Sequence, residues 1–385
     1  MKIFNHFFFE KVIASFCLIF FQFLQLFVKK DNNLFLFFHS STNLSDNNKY
    51  AFIELVKHSE YQCYNFIFKK ELFKNISNND KQYRPIYFFS LKACYLYLKS
   101  STIFTTHDAL FFPFGLNPKT KRIINLWHGT PLKTIGADTI KNSKNRKLRK
   151  LKYSHVLCNS DFEKILLSSS FNQPLNSFWL IGSPRHNAIL KGNKLNDIHH
   201  FLNKKVILYA PTFRDNGKAV ELFPFKNFEL EKFDIFLKEN NSVLLVRTHP
   251  SDRTSSEYFV KNAENIISAN SEVFPDIQDL LFHTDLLITD YSSVYLDYLV
   301  LNRPMMILPY DIEKYKYERG LLFDIEKFFP GPSITDYKDF KNYINASLEN
   351  PSIDADKRKF VSSVFHYHQD GNTMERLIEK LSEIN

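Results

Sequence analysis

The sequence contains few cysteines. The four residues, Cys17, Cys63, Cys94 and Cys158, lie far apart, and no two of them have C-x-x-C spacing. This arrangement indicates neither a zinc site nor a disulfide framework, so a reducing cytoplasm is the expected compartment. None of the histidines has a partner at a convincing metal-ligand spacing, and we therefore expect no metal site built on them.

The sequence also lacks internal repeats, low-complexity segments, a G-x-G-x-x-G fingerprint and any nucleic-acid-binding motif. Nucleic acid is therefore not an expected partner. The chain has 50 Lys and Arg residues against 41 Asp and Glu, which gives a formal net charge of +9. This excess of positive charge suits an acidic ligand, a polyanionic acceptor or an anionic membrane surface.

The apolar run near the N-terminus is short for a membrane span, which usually needs about 20 residues. It covers residues 12–28, is interrupted by Gln22 and Gln25, and is closed by two lysines. No small-residue cleavage site follows it, as a secretory signal would require. We expect an apolar helix within residues 1–32 that packs on the protein or lies in the membrane interface. A true span and a cleaved signal are the alternatives.

From residue 33 onward, short apolar strands alternate with helical segments. For example, NLFLFF is a predicted strand and KYAFIELVKH a predicted helix. Such alternation predicts an α/β fold with parallel sheets. A chain of 385 residues suits two domains rather than one core. Because a polar stretch at 191–205 precedes a second strand and helix series, we place an N-terminal Rossmann-like domain at 33–195 and a C-terminal one at 200–385.

Four predicted strands are each followed at once by polar residues. The segments are IINLWHGTPLK, VILYAPTFRDN, SVLLVRTHP and DLLITDYSSVYLDYL. In an open parallel sheet the carboxyl ends of the strands converge on one crevice, where ligands bind. We therefore expect one composite site made of histidines, arginines, serines and aspartates. Its members are His128, His249, Arg214, Arg247, Ser292, Ser293, Asp290 and Asp297.

His128 directly follows the predicted strand IINLW and precedes Gly129, Thr130 and Pro131. Small and turn-forming residues at a strand end favour a side chain that points into a cleft. An imidazole titrates near neutrality and can accept a proton from an attacking hydroxyl. From this segment alone, a general base and a histidine packed against Trp127 are equally good interpretations.

Ser292 and Ser293 are predicted to begin a helix, because SVYLDYLVL follows the strand DLLITD. The free N–H groups and dipole of a helix start attract an anion, by about 0.3 to 1 kcal/mol when exposed. The alternative is a serine that only caps the helix, which stabilises by about 1 kcal/mol. Asp297, one turn later, is predicted to accept hydrogen bonds from ribose or polyol hydroxyls, with a solvated helix face as the alternative.

These motifs resemble those of one known family. WHGTPLK, YAPTFRDN, RTHP, TDYSSVYLDYLVLNRPMMILPYD, GLLFD and PGP are similar to segments of the CDP-glycerol glycerophosphotransferases, the teichoic acid primases and polymerases. The resemblance implies a GT-B arrangement, in which two Rossmann-like domains face a central cleft. It also implies that His128 is the base. The residues it implies for donor pyrophosphate binding are His249, Arg214, Ser292 and Ser293, and Thr212 lies in the same motifs as a further substrate contact.

The implied reaction is phosphoryl transfer. An acceptor hydroxyl, deprotonated by His128, attacks the polyol-side phosphorus of CDP-glycerol or a related CDP-polyol and expels CMP. The arginines, His249 and the serine pair would offset the charge that develops. This scheme requires no cofactor, although Asp290 or Asp215 could hold Mg²⁺. The identity of the polyol, the number of units added and the polymer, wall teichoic acid or capsule, stay open.

A run of seven basic residues without an acid lies between positions 141 and 152. The residues are Lys141, Lys144, Arg146, Lys147, Arg149, Lys150 and Lys152. The run is either a solvated helix face or a contact for anionic lipid head groups or a phosphate polymer. We expect a peripheral protein on the cytoplasmic face of the cell membrane, acting on a lipid-linked or polymeric anionic acceptor.

Two other function classes fit parts of the pattern. A GT-B glycosyltransferase that uses a nucleotide sugar would share the fold and the anion-binding helix, but its acceptor attacks carbon rather than phosphorus. A non-catalytic membrane-associated scaffold would keep the basic run and the N-terminal helix. It would not need a histidine at a strand end, so the full set of motifs argues against it.

Overall fold

Two parallel sheets form the framework of the molecule. A computed structural model describes residues 23–38, 44–107, 120–138, 153–192, 203–214, 220–249, 252 and 254–384. We refer to the described residues up to 192 as the first half of the chain and to those from 203 as the second half. The basic run between 141 and 152, Asp215 and most of the N-terminal apolar run lie outside the described residues.

The first sheet has seven strands, all in the first half. They are β1 (Asp31–Phe38), β2 (Gln62–Ile67), β3 (Pro85–Tyr87), β4 (Ser100–Thr105), β5 (Arg122–Asn125), β6 (His155–Cys158) and β7 (Phe178–Leu180). Their order is β3-β2-β1-β4-β5-β6-β7, and all neighbours are parallel. The predicted strand NLFLFF is confirmed as part of β1.

The second sheet has five strands. They are β8 (Lys205–Ala210), β9 (Ser242–Val246), β10 (Ile266–Ser268), β11 (Leu286–Thr289) and β12 (Met305–Ile307). They run in the order β10-β9-β8-β11-β12 and are also parallel. The predicted α/β class with two Rossmann-like sheets is therefore confirmed.

Helices connect the strands. In the first half they are α1 (Asp46–Leu55), α2 (Lys70–Lys74), α3 (Leu91–Lys99), α4 (Asp161–Phe171) and α5 (Pro184–Lys191). In the second half they are α6 (Leu230–Glu239), α7 (Glu257–Lys261), α8 (Ile277–His283), α9 (Val294–Tyr298), α10 (Ile312–Arg319), α11 (Ile325–Phe328), α12 (Tyr337–Glu349), α13 (Ala355–Phe365) and α14 (Thr373–Glu383). Short 3₁₀ turns lie at Asn79–Tyr83, Gly136–Asp138, Leu175–Ser177 and Leu299–Leu301.

Both sheets have a point at which the strand order reverses direction. In the first it lies between β1 and β4, and in the second between β8 and β11. Ala210 of β8 pairs with Thr289 of β11, so these two strands end at the same level. Ligands of open parallel sheets bind beyond the carboxyl ends of the strands at such a point. The topology therefore places the segments after β8 and β11 at one site.

The second sheet is buried on both faces, as parallel sheets require. Val206 and Leu208 of β8 belong to one apolar core, whereas Ile207 and Tyr209 belong to the core on the opposite face. The alternation follows from the two-residue period of a strand. Continuous apolar runs such as VILYA are the sequence expression of this double burial.

The C-terminal helix α14 returns to the first sheet. Met374, Leu377 and Leu381 are buried in the core formed with Phe35 and Phe37 of β1. The sequence prediction grouped this segment with the second half. Its apolar face, repeated every three to four residues, instead covers the first sheet, because that sheet would otherwise expose aromatic side chains.

Candidate active site

The chain turns sharply after β5 and places His128 at the carboxyl edge of the first sheet. Asn125 Oδ1 accepts a hydrogen bond from the Trp127 N–H at 2.8 Å, and Trp127 adopts a left-handed conformation with φ of 52°. The His128 ring stacks on His107, with centroids 4.5 Å apart, and contacts Trp127 with centroids 3.8 Å apart. Packing against aromatic rings and placement at the strand end therefore occur together.

One hydrogen bond fixes the tautomer of His128. Its Nδ1 lies 2.7 Å from the carbonyl oxygen of Thr106, so Nδ1 must carry the proton and donate it. Nε2 then keeps its lone pair. Burial, followed by the nearby His107, lowers the pKa of His128 to about 4. The ring is thus neutral at pH 7 and can accept a proton at Nε2.

The loop after His128 is held by two buried charged groups. Arg185, near the start of α5, donates from Nη1 to the carbonyl oxygen of His128 at 2.8 Å. A Cβ on Gly129, whose φ is 120°, would lie 2.4 Å from Arg185 Nη2, so only glycine fits there. Thr130 donates to Glu163 at 3.1 Å. Burial raises the pKa of Glu163 to about 7.

Arg185 also joins the two halves of the chain. Its Nε and Nη2 donate to Asp297 Oδ1 at 3.1 and 2.8 Å, and Nη1 donates to Asp46 at 2.9 Å. His186 Nε2 lies 2.9 Å from the same Asp297 oxygen. The structure therefore places Asp297 in a buried ion pair between the halves, and not on a solvated helix face. Its predicted contact with a substrate hydroxyl stays a prediction.

Asp290 organises the loops that follow β8 and β11. Its Oδ1 accepts hydrogen bonds from the backbone N–H groups of Thr212 and Tyr291, at 2.7 and 2.6 Å. Its Oδ2 accepts from Arg214 Nη2 at 3.0 Å. Burial raises the pKa of Asp290, while Arg214 opposes that shift. The carboxylate therefore holds the two strand ends together.

Arg214 is already neutralised within the protein. Besides Asp290, its guanidinium donates to Asp311 at 2.9 and 3.1 Å. It also lies 5.1 to 5.4 Å from the ring centroids of Tyr291, Tyr310 and Tyr315. These contacts give Arg214 a structural role at the strand ends, and its predicted contact with the donor stays a prediction.

A cavity of about 340 Å³ lies at the carboxyl ends of β8 and β9. It brings together four predicted site residues, Thr212, Arg247, His249 and Ser292. A neighbouring cavity of about 500 Å³ shares Thr248 and His249 with it. The structure thus brings these four predicted residues to one cavity, whereas Asp297, Asp290 and Arg214 lie among the supporting contacts.

His249 and Arg247 have different surroundings in this cavity. His249 stacks on Phe213, with centroids 4.9 Å apart, and its exposed ring faces solvent. Burial and the nearby Lys133 lower the pKa of His249. Arg247 instead donates to the carbonyl oxygens of Ala269 and Phe274 at 2.9 and 2.6 Å. Arg247 therefore shapes the cavity wall, while His249 is the more accessible of the two.

The serine pair lies at the start of α9, as predicted. Ser292 Oγ accepts from the N–H of Val294 at 3.3 Å, which is a weak capping contact. Because α9 has only five residues, its dipole adds little. An anion in the cavity would therefore depend on the Ser292 hydroxyl and nearby cations more than on the helix. Capping and ligand binding remain compatible interpretations.

Lys133 is a cavity residue that the sequence analysis did not select. It lies five positions after His128 and lines the 340 Å³ cavity beside His249 and Ser292. The sequence feature that could have identified Lys133 as a site residue is its place in the WHGTPLK motif. Its position against the second half could not be inferred from that motif.

Within the described part of the chain, no group of three or more His, Cys, Asp or Glu side chains could hold a metal ion. Two residues were predicted as possible Mg²⁺ ligands. Asp215 lies outside the described residues, and Asp290 accepts hydrogen bonds from Thr212, Tyr291 and Arg214. No helix among the described residues is both long and apolar enough to cross a membrane.

Comparison with known proteins assigns the family. The sequence profile described as CDP-Glycerol:Poly(glycerophosphate) glycerophosphotransferase matches residues 19–383. The chain belongs to this family. The resemblance predicted from the motifs is thereby confirmed, and with it the assignment of the chain as an enzyme of the glycerophosphotransferase family.

Curated members of the glycerophosphotransferase family are similar over most of the chain. The teichoic acid ribitol-phosphate polymerase TarK of Staphylococcus aureus is 28% identical over 92% of this chain and 69% of its own length. The teichoic acid glycerol-phosphate primase of Bacillus subtilis is 29% identical over 76% of each chain. The relatives thus include both ribitol-phosphate and glycerol-phosphate enzymes.

Solved structures show the same fold. The wall teichoic acid polymerase TagF matches with a TM-score of 0.76 at 22% identity, over 92% of this chain and 89% of that chain. A UDP-N-acetylglucosamine 2-epimerase from Listeria monocytogenes matches with a TM-score of 0.58 at 14% identity, over 91% of this chain and 96% of that chain. The predicted GT-B-like arrangement is therefore confirmed.

Proposed function

We propose that the protein transfers polyol phosphate from a CDP-polyol, with CDP-glycerol as the first candidate, to an acceptor hydroxyl and releases CMP. The observation that carries this proposal is the neutral His128, whose Nε2 lone pair stays available while Nδ1 donates to Thr106. The loop of His128 continues directly into Lys133, which lines the anion-binding cavity. This continuity of the chain supports a base and a donor site that border one cleft.

The chemistry follows from this geometry. The acceptor hydroxyl gives its proton to His128 Nε2, and its oxygen bonds to the polyol-side phosphorus. The bond from that phosphorus to the oxygen bridging to CMP breaks, and CMP leaves with the bond electrons. His249, Thr212 and Ser292 line the cavity in which the leaving phosphate gains charge.

A donor screen tests the reaction class. The purified protein is incubated with CDP-glycerol, CDP-ribitol or a UDP-sugar and a defined acceptor, and CMP release and product mass are followed. We expect CMP and a phosphodiester product with a CDP-polyol and no turnover with the UDP-sugar. The structural likeness to a UDP-N-acetylglucosamine 2-epimerase concerns the fold alone. Turnover with the UDP-sugar only would favour a glycosyl-type reaction and overturn the proposal.

The scheme contains no metal, and a chelator test follows from that. Addition of EDTA should leave CMP release unchanged. Loss of activity that Mg²⁺ restores would contradict this and direct attention to Asp290 and Asp215.

The acceptor is proposed to be lipid-linked or polymeric and anionic, presented at the inner membrane surface. The net charge of +9 and the basic run from Lys141 to Lys152 support an anionic partner. Electrostatic attachment should weaken as salt shortens the Debye length to about 3 Å at 1 M. Sedimentation with anionic liposomes at low and high salt measures it. Protein that stays in the supernatant at low salt would favour a soluble acceptor.

A further inference from the structure

Lys133 is held in place by the second half of the chain, although it belongs to the loop of His128. Its backbone forms an antiparallel bridge with Leu321. On either side, the Leu322 N–H donates to the carbonyl oxygen of Leu132 at 2.8 Å and the Thr134 N–H donates to that of Gly320 at 3.3 Å. This crossing fixes the Lys133 backbone at the junction of the two halves.

Among the described residues, those around Lys133 supply basic groups and hydroxyls but no counter-charge. The 340 Å³ cavity also includes Arg247, His249, Thr212 and Ser292, and none of its described lining residues is a carboxylate. Lys133 forms no ion pair with any residue that the structure describes, and its side chain is half-buried. A desolvated ammonium without an anionic partner is costly, which makes the cavity a receptor for an anion.

Burial, together with the nearby Arg319, lowers the pKa of Lys133 to about 8. Lys133 also lowers the pKa of His249 through its charge. In both residues burial is the larger cause of the lowered pKa and a neighbouring positive charge is the second. A bound phosphate would oppose both shifts.

We propose that Lys133 binds the polyol-side phosphoryl group of the donor, the group that is transferred. This inference rests on the proposed function and specifies which phosphate the residue contacts. Thr212, His249 and Ser292 come from the second half, and we assign them to the nucleotide side of the pyrophosphate. Lys133 comes from the loop of the base, and for that reason we assign its ammonium to the phosphoryl group that the acceptor oxygen attacks. The ammonium charge offsets the negative charge that gathers on the transferred group.

The test compares CDP with CMP, because only CDP carries the second phosphate. Isothermal titration calorimetry is performed with the wild-type chain and with Lys133→Met and Lys133→Gln. Both variants should lose on the order of 10- to 100-fold in CDP affinity, as expected for a charge-assisted hydrogen bond. Their affinity for CMP should change less than about twofold. Lys133→Arg should recover most of the CDP affinity, since it keeps the charge.

Lys205→Met is the matched control. It removes the same charge at the amino end of β8, where Lys205 lies 3.9 Å from Asp285, far along the strand from the cavity. Its CDP affinity should equal that of the wild type. Circular dichroism identifies a Lys133 variant that fails to fold, in which case the other variant and Lys133→Arg decide the question.

The outcomes separate the two proposals. If Lys133→Gln and Lys133→Met bind CDP as tightly as the wild type does, the proposed role of Lys133 is wrong and the proposed function still stands. An equal loss of CDP and CMP affinity would also overturn it, because the contact would then not be specific to the second phosphate. A wild-type chain that binds neither CDP nor CMP would instead contradict the proposed function itself.

Discussion

The pH dependence of turnover should report the lowered pKa of His128 directly. Burial lowers its pKa from the ordinary 6.5 to about 4. At pH 6 a histidine with the ordinary value is roughly three-quarters protonated, whereas one with a pKa near 4 is only about 1% protonated. In the wild-type protein, nearly all His128 side chains should therefore be neutral at pH 6 and able to accept a proton. Its acid limb in kcat/KM, which reports the free enzyme, should lie well below 6.5.

The assay is CMP release from the CDP-polyol between pH 4.5 and 8, with circular dichroism at each pH to confirm folding. His128→Ala should lower turnover by about 100-fold or more at every pH and leave CDP affinity nearly intact. An acid limb near 6.5 in a protein that stays folded would refute the assignment of His128 as the base. Near-normal turnover in His128→Ala would refute it as well.

Replacing His107 tests whether the surroundings of His128 cause its low pKa. The His107 ring stacks on His128, and its charge is the second cause of the lowered pKa after burial. His107→Ala should admit water and remove that charge, so the acid limb should move toward 6.5. His58, which is half-buried and follows the C-terminal end of α1, serves as the control, and His58→Ala should leave the limb unchanged. A limb that moves equally in both variants would contradict a local cause.

Three further outcomes follow from buried or half-buried charges. Arg185→Met should lower the free energy of unfolding by on the order of 3 kcal/mol in urea titration, because it removes the guanidinium that pairs with Asp46 and the buried Asp297; an unchanged value would contradict this. The raised pKa of Glu163, about 7, means that its stabilising contribution is full below about 4.5 and is lost as pH rises through 7. Glu163→Gln should therefore gain stability relative to the wild type between pH 5 and 8, and a constant difference would argue against burial as the cause. CDP affinity should fall as Lys133, beside Arg319 and His249, loses its proton above about pH 8. Lys133→Arg should keep its affinity at pH 9, and parallel curves would point to another group.

The sequence predicted the sheets well, because their strands are continuous apolar runs ended by polar residues. It also located His128 at a strand end, since a strand followed by glycine and proline leaves few other conformations. The pairing of Arg185 with Asp297 could not be predicted. The two residues are 112 positions apart, and each looks like an ordinary surface charge in its own segment.

The packing of α14 on the first sheet could not be predicted from the sequence either. The apolar spacing of Met374, Leu377 and Leu381 predicts that the helix packs on something, but it does not identify which sheet. The bridge between Lys133 and Leu321 is a similar case. Such choices depend on how distant segments meet, and that information lies in no single window of the chain.

Arg214 and Lys133 show why charge alone does not identify a ligand site. Both are basic residues within motifs that follow a strand. Arg214 has two carboxylates, Asp290 and Asp311, within 3.1 Å, so the protein itself supplies its counter-charge. Among the described residues, Lys133 has no such partner, and those that line its cavity carry basic, hydroxyl or apolar side chains. An incoming pyrophosphate would have to displace an existing ion pair at Arg214 but not at Lys133. The donor anion should therefore gain more from the lysine, and the arginine should matter chiefly for holding the ends of β8 and β11 in place.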